Sequence, residues 1–159
     1  LATTLAATYP GSFIPVTDWK TSLAESDICI TATPAKNPFL RKEHIQPGTF
    51  IAAVGSDSEE KNELDPALLA GSYVIADRCE QAAAIGELHH AIRSGLMAAN
   101  NIYGELGEIV AGKKAAPQLN GRVTIFDSTG LGLQDVAAAA TVYENAIDRK
   151  TGLVFDFQQ

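Results

Sequence analysis

Apolar residues gather in short runs bounded by Pro, Gly, Asp and Ser, and these runs alternate with stretches of helical period. Their length and their content of Ile, Val, Phe and Thr predict strands over 12–16, 27–31, 49–54, 73–77 and 123–127. Between them, Asp18 is placed to cap a helix running through residue 26. Asp65 and Pro66 supply a cap and a first-turn proline for a helix closed by Gly71. Further helical stretches cover 80–95, 104–111 and an alanine-rich 131–149, and a short turn is expected at 41–45. Strands that alternate with helices and read as nearly continuous apolar runs predict an α/β fold whose parallel sheet is covered on both faces. The stretch 78–122 offers helices without a convincing strand, and it is expected to leave the sheet and line a cleft or a partner surface.

The chain opens on a helical stretch (Leu1, Leu5) with neither a cap nor a methionine before it, stopping at Pro10 and Gly11. That is the pattern expected of a segment or a trimmed chain. With 159 residues, 46% of them hydrophobic, it can bury one good core and is expected to make one domain. A net charge of −7, spread over scattered acids, argues against nucleic acid and anionic membrane as partners, since both require a basic surface. No apolar run approaches the roughly 20 residues that span a bilayer. Cys29 and Cys79 have neither metal-site nor disulfide spacing, which points to a reducing, cytoplasmic setting.

Three strand ends carry candidate chemistry. Asp57 follows the run 49–54 by way of Gly55 and Ser56, where open α/β sheets bind ligands, and Lys61 lies close enough to serve the same crevice. Such an acid is either a turn or cap residue, or a carboxylate whose pKa is raised by desolvation beside a ligand and so suits proton transfer. In Ile28–Lys36 (ICITATPAK), threonines end a strand; they either follow strand propensity or offer hydroxyls to a ribose or phosphate. In Ile125–Ala139 (IFDSTGLGLQDVAAA), Ser128 and Thr129 precede Gly130 and Gly132 at a helix start, as simple caps or as an approach for a ligand. His89 and His90 lack zinc-site spacing, His44 stands alone, and no nucleophile elbow occurs, so no metal site is expected and hydrolase readings rank low.

Taken in order, ESDICITATPAKNPFLRKEHIQPGTFIAAVGSDSEEKNELDPALL, VIADRCEQAAAIGEL, YGELGEIVAGK and VTIFDSTGLGLQDVAAAATVYENA resemble the ornithine cyclodeaminase/mu-crystallin family over nearly the whole chain. The resemblance implies a Rossmann-type domain for NAD or NADP within a two-domain, usually homodimeric enzyme. Its common step is hydride exchange with the α-carbon of an amino acid or its imine. On the matched positions, Asp57 would be the acid/base and would meet the substrate. Thr33, Val54, Gly55, Ser56, Lys61 and Ser128 would line the cofactor, and Thr129 would contact the substrate through its backbone. The family's glycine-rich turn, the acid that holds the adenosine ribose and the groups that grip the substrate carboxylate do not occur in these residues; they would lie upstream of Leu1. The segment alone is therefore expected to be inactive and to bind NAD(P)H weakly or not at all. Val136, Val142, Tyr143, Ile147 and the tail GLVFDF would pack on the absent domain. Two other readings follow from the same residues: a non-enzymatic small-molecule binder of mu-crystallin type, and a Rossmann-like assembly domain.

Overall fold

A computed structural model describes residues 1–118 and 120–155. The chain divides into two compact units, residues 1–129 and 130–159. In the first unit the elements run α1 (Ala2–Thr8), α2 (Trp19–Ala24), β1 (Ile28–Thr31), β2 (Phe50–Ala53), α3 (Pro66–Ala70), β3 (Tyr73–Ala76), α4 (Cys79–Ile85), α5 (Glu87–Arg93), β4 (Gly104–Glu105), α6 (Leu106–Val110) and β5 (Thr124–Asp127). The caps behave as their chemistry requires. Asp18 accepts N–H groups of Lys20 and Thr21 ahead of α2, and Asp65 accepts that of Ala67 ahead of α3, with Pro66 in its first turn and Gly71 at its end.

All strands are parallel and ordered β1-β2-β5-β3-β4. Their register sets Thr31, Ala53, Asp127, Ala76 and Glu105 side by side in one row, so the sheet ends level along its carboxyl edge. Strand periodicity then sorts the side chains. Ile51, Ala53, Ile125, Val74 and Ala76 point to one face; the first four are buried there with Leu23 of α2, Leu68 and Leu69 of α3 and Ala91 of α5, while Ala76 is buried with Ala82 and Leu88. Each large aliphatic chain so placed contributes about 1.5–3 kcal/mol.

The opposite face departs from expectation. Ile28 and Ile30 of β1 are 63% and 70% exposed, and Phe50 of β2 is 37% exposed. The runs are apolar on both faces, but at this edge of the sheet, among the described residues, only the face toward α2 and α3 is packed. Residues 12–16 form no strand: Pro15 has no N–H to donate, and Ile14 and Val16 stay exposed. The stretch 78–122 does hold a strand, the two-residue β4 paired with β3, and it delays the following helix to Leu106. The expected helix 80–95 is two helices, broken at the extended Gly86.

The second unit is built on α7 (Gly132–Arg149), which ends at Lys150 in a left-handed conformation. Val136, Val142, Tyr143 and Ile147 are exposed along it. The tail GLVFDF runs out of the described residues after Phe155.

Candidate active site

Past the level row, the ladder continues for one more residue. Val54 donates its N–H to the Thr31 carbonyl at 2.9 Å, Ser128 to Ala53 at 2.9 Å, and Asp77 to Asp127 at 3.1 Å. The loops leaving β1, β2 and β5 are therefore neighbours, in the order Thr33, Val54–Asp57, Ser128–Thr129. Thr33 and Val54 are exposed, Ser128 is half-buried, and Gly55, Ser56 and Thr129 are buried. The Ser56 hydroxyl is committed to the Lys61 carbonyl at 2.7 Å. Thr129 gives its N–H to Asp77 Oδ2 at 2.8 Å and its hydroxyl to the same carboxylate. Neither Ser128 nor Thr129 caps α7, whose N-cap is Leu131. Gly130, at φ +79°, makes the turn between them and that helix, a conformation that favours glycine.

Asp57 stands on the crest after β2 with its Oδ1 2.6 Å from Lys61 Nζ. This hydrogen bond from the ammonium lowers the Asp57 pKa, and its charge adds to the effect, so the shift runs opposite to the desolvated, raised carboxyl expected of a proton-transfer acid. The carboxylate is more than half exposed, so desolvation raises it less than the Lys61 hydrogen bond lowers it. Lys61 is itself anchored through its backbone, because its carbonyl accepts both Ser56 Oγ and His90 Nε2, the latter at 2.7 Å. A carbonyl can only accept, so His90 carries its proton on Nε2, and burial pushes its pKa down toward that neutral form.

Beneath the crests lies a frame of buried carboxylates. Asp127, at the end of β5, accepts the N–H groups of Glu87 and Leu88 at 3.1 and 2.8 Å. Glu87 in turn accepts Asn62 Nδ2, Glu63 N–H and Leu64 N–H. Burial pushes Asp127 and Glu87 each up to about 7, against these donors, which favour the charged form. Glu63 is wholly buried and accepts the N–H groups of Thr33 and Gly55. Glu63 and Glu87 escape sequence reading because their partners lie on other loops, outside any short window around them. Asp77 and Asp127, each ending an apolar strand, carry a signal that could have found them.

A groove of about 290 Å³ follows β1, lined by Trp19, Leu23, Ile28, Ile30 and Phe39 among others, and it meets the crest at Thr31 and Thr33. Asp57 and Lys61 are not part of its wall. The buried Thr31 hydroxyl at its crest end has no hydrogen-bond partner among the described residues.

A profile of the ornithine cyclodeaminase/mu-crystallin family matches residues 6–150. The chain belongs to this family. It is 45% identical over 123 residues to an iminosuccinate reductase of Paracoccus denitrificans, covering 77% of this chain and 38% of that protein. An archaeal alanine dehydrogenase, solved as a dimer with bound NAD, superposes at a TM-score of 0.76 and 38% identity over 82% of this chain and 41% of that one. A Delta(1)-pyrroline-2-carboxylate reductase of Thermococcus litoralis, solved with NADH and L-proline, superposes at 0.82 and 30% identity over 88% and 44%. The chain spans 38–43% of the length of the first four curated relatives it matches. As a family member it carries the Rossmann-like α/β sheet that its motifs implied. The matched positions Thr33, Val54, Gly55, Ser56, Asp57, Ser128 and Thr129 fall on three adjacent loops of one sheet edge, and Lys61 joins them through Asp57.

Proposed function

We propose that the protein is an NAD(P)-dependent oxidoreductase or cyclodeaminase that exchanges hydride with the α-carbon of an amino acid or cyclic imine, working as a homodimer. The observation that carries this reading is the Asp57–Lys61 pair on the crest between Thr33 and Ser128, at the carboxyl edge where parallel sheets bind their ligands. The family relatives solved with NAD, or with NADH and L-proline, support it.

The chemistry of the crest suits the nicotinamide end of a dinucleotide. The N–H groups of Thr33, Val54, Gly55, Ser128 and Thr129 are all taken by protein acceptors. At these five residues, what remains for a ligand is carbonyl and hydroxyl oxygen, which matches the N–H donors of a carboxamide. The bound cofactor would supply or remove the hydride. Asp57 would take a proton from, or return it to, the amine, imine or attacking water, and Lys61 would keep the carboxylate ionised and oriented until a substrate ammonium competes for it. Thr129, with its N–H spent on Asp77, would face the substrate through its carbonyl.

Hydrogen exchange on the whole protein with and without NADH or NADPH tests the placement. Added protection should fall on the loops 32–35, 54–57 and 127–129; protection confined to other parts of the sheet would refute it.

A further inference from the structure

Glu63 is given no role by its place in the sequence, yet its side chain is wholly buried. One carboxylate oxygen accepts the Thr33 N–H at 2.6 Å and the other accepts the Gly55 N–H at 3.1 Å. Those donors belong to the crests of adjacent strands. The carboxylate also occupies the space a side chain would need at position 55, since a Cβ on Gly55 would stand 2.5 Å from Glu63 Cδ and from both oxygens. Residue 63 is itself fixed on both sides. Its N–H goes to Glu87 Oε1 at 2.8 Å, and its carbonyl accepts Phe39 and Leu40, each at 3.0 Å.

We propose that Glu63 is the positioning residue of the nicotinamide crest: by holding Thr33 and Gly55 on one carboxylate, it sets the spacing of two cofactor-lining loops and turns their donors inward. The proposal rests on the dinucleotide reading given above. A carboxylate is required because it accepts at both ends. Glutamine would turn an NH2 group toward one of the two N–H donors, pushing that loop outward while the shape of the side chain stays almost the same. Misplacing a substrate-positioning loop by about 1 Å can cost on the order of 10²-fold in rate. Asp57 and Lys61 share no hydrogen bond with Glu63, so proton transfer should keep its own pH dependence.

The test compares the whole wild-type protein with Glu63→Gln and Glu63→Asp, using NADH and NADPH as probes and amide hydrogen exchange as the independent readout. In the wild type the Thr33 and Gly55 amides should both be protected, although Thr33 is an exposed loop residue. In Glu63→Gln at least one of the two should exchange faster and the dinucleotide Kd should rise about tenfold, the change that about 1.4 kcal/mol makes. The pH midpoint of turnover should not move. Glu63→Asp keeps the charge but falls a methylene short, and it should lie between the two. Unprotected Thr33 and Gly55 in the wild type would overturn the clamp, whether or not either variant folds. A folded Glu63→Gln that binds dinucleotide as tightly as the wild type would overturn its link to the cofactor. If the wild type binds neither dinucleotide, the functional reading fails and so does the claim about what is positioned. Protected amides would then show that the clamp itself is not the part that failed.

Discussion

Gly86→Ala should be among the most damaging single-methyl additions in the first unit. The backbone there (φ −88°, ψ −170°) is open to alanine, so any cost is steric. The new Cβ would stand 2.8 Å from both Asp127 carboxylate oxygens and 2.9 Å from Thr129 Cγ2, where ordinary contact begins near 3.4 Å. Asp127 cannot swing aside, because its oxygens hold Glu87 and Leu88 N–H at the start of α5 and the residue is fully buried. Overpacking costs about 1–3 kcal/mol, and weakening the bonds to a charged acceptor adds about 1.5–3, for a total of about 2.5–6 kcal/mol. That is a large share of a domain stability of about 5–15 kcal/mol. Urea unfolding at pH 8 measures it as a fall in midpoint at unchanged slope. Gly107→Ala is the control: it lies in α6 with nothing within 4 Å of its Cβ and should gain about 0.5–1 kcal/mol. A Gly86→Ala loss below about 1 kcal/mol would refute the steric reasoning.

Two titrations follow from the same frame. Burial raises Asp127 from 3.8 and Glu87 from 4.5, each to about 7, so between those values the folded chain holds protons that the unfolded chain has released. Stability from these groups therefore falls as pH rises from about 4.5 to about 7, by about 1.4 kcal/mol per pH unit for each group, and is level above that. Relative to Glu87→Gln, wild-type unfolding free energy should drop at that rate across the window, and a pH-independent difference would contradict it. On the crest, Lys61→Ala should move the Asp57 titration, followed by NMR, upward toward the ordinary carboxylate range, since the Lys61 hydrogen bond is the main cause of its depression; an unmoved midpoint would exclude that cause.

Much of the fold was legible because its signals are local. Apolar runs marked β1, β2, β3 and β5, and Asp65, Pro66 and Gly71 marked the whole of α3. The segment around Pro15 misled because apolar content was read without its missing N–H. β4 escaped because two residues leave no periodicity. The strand order, with β5 returning to lie between β2 and β3, depends on packing that no short window contains. At the site, Asp57, Thr33 and Ser128 were legible as residues following strands. Glu63 and Glu87 were not, because burial and partners on other loops, rather than neighbouring residues, give a glutamate a structural role. Nor was the sign of the Asp57 shift legible: Lys61 was visible in the sequence, but its hydrogen bond to Asp57 and the exposure of that carboxylate were not.

The assignment of Asp57 is tested most directly by Asp57→Asn in the whole protein, with turnover and dinucleotide affinity measured side by side on amino acids and cyclic imines. Asparagine still offers Lys61 an acceptor but cannot exchange a proton. Turnover should fall about 10²–10⁴-fold while the Kd for NADH or NADPH stays within about twofold. Turnover that survives the substitution would contradict Asp57 as the proton carrier.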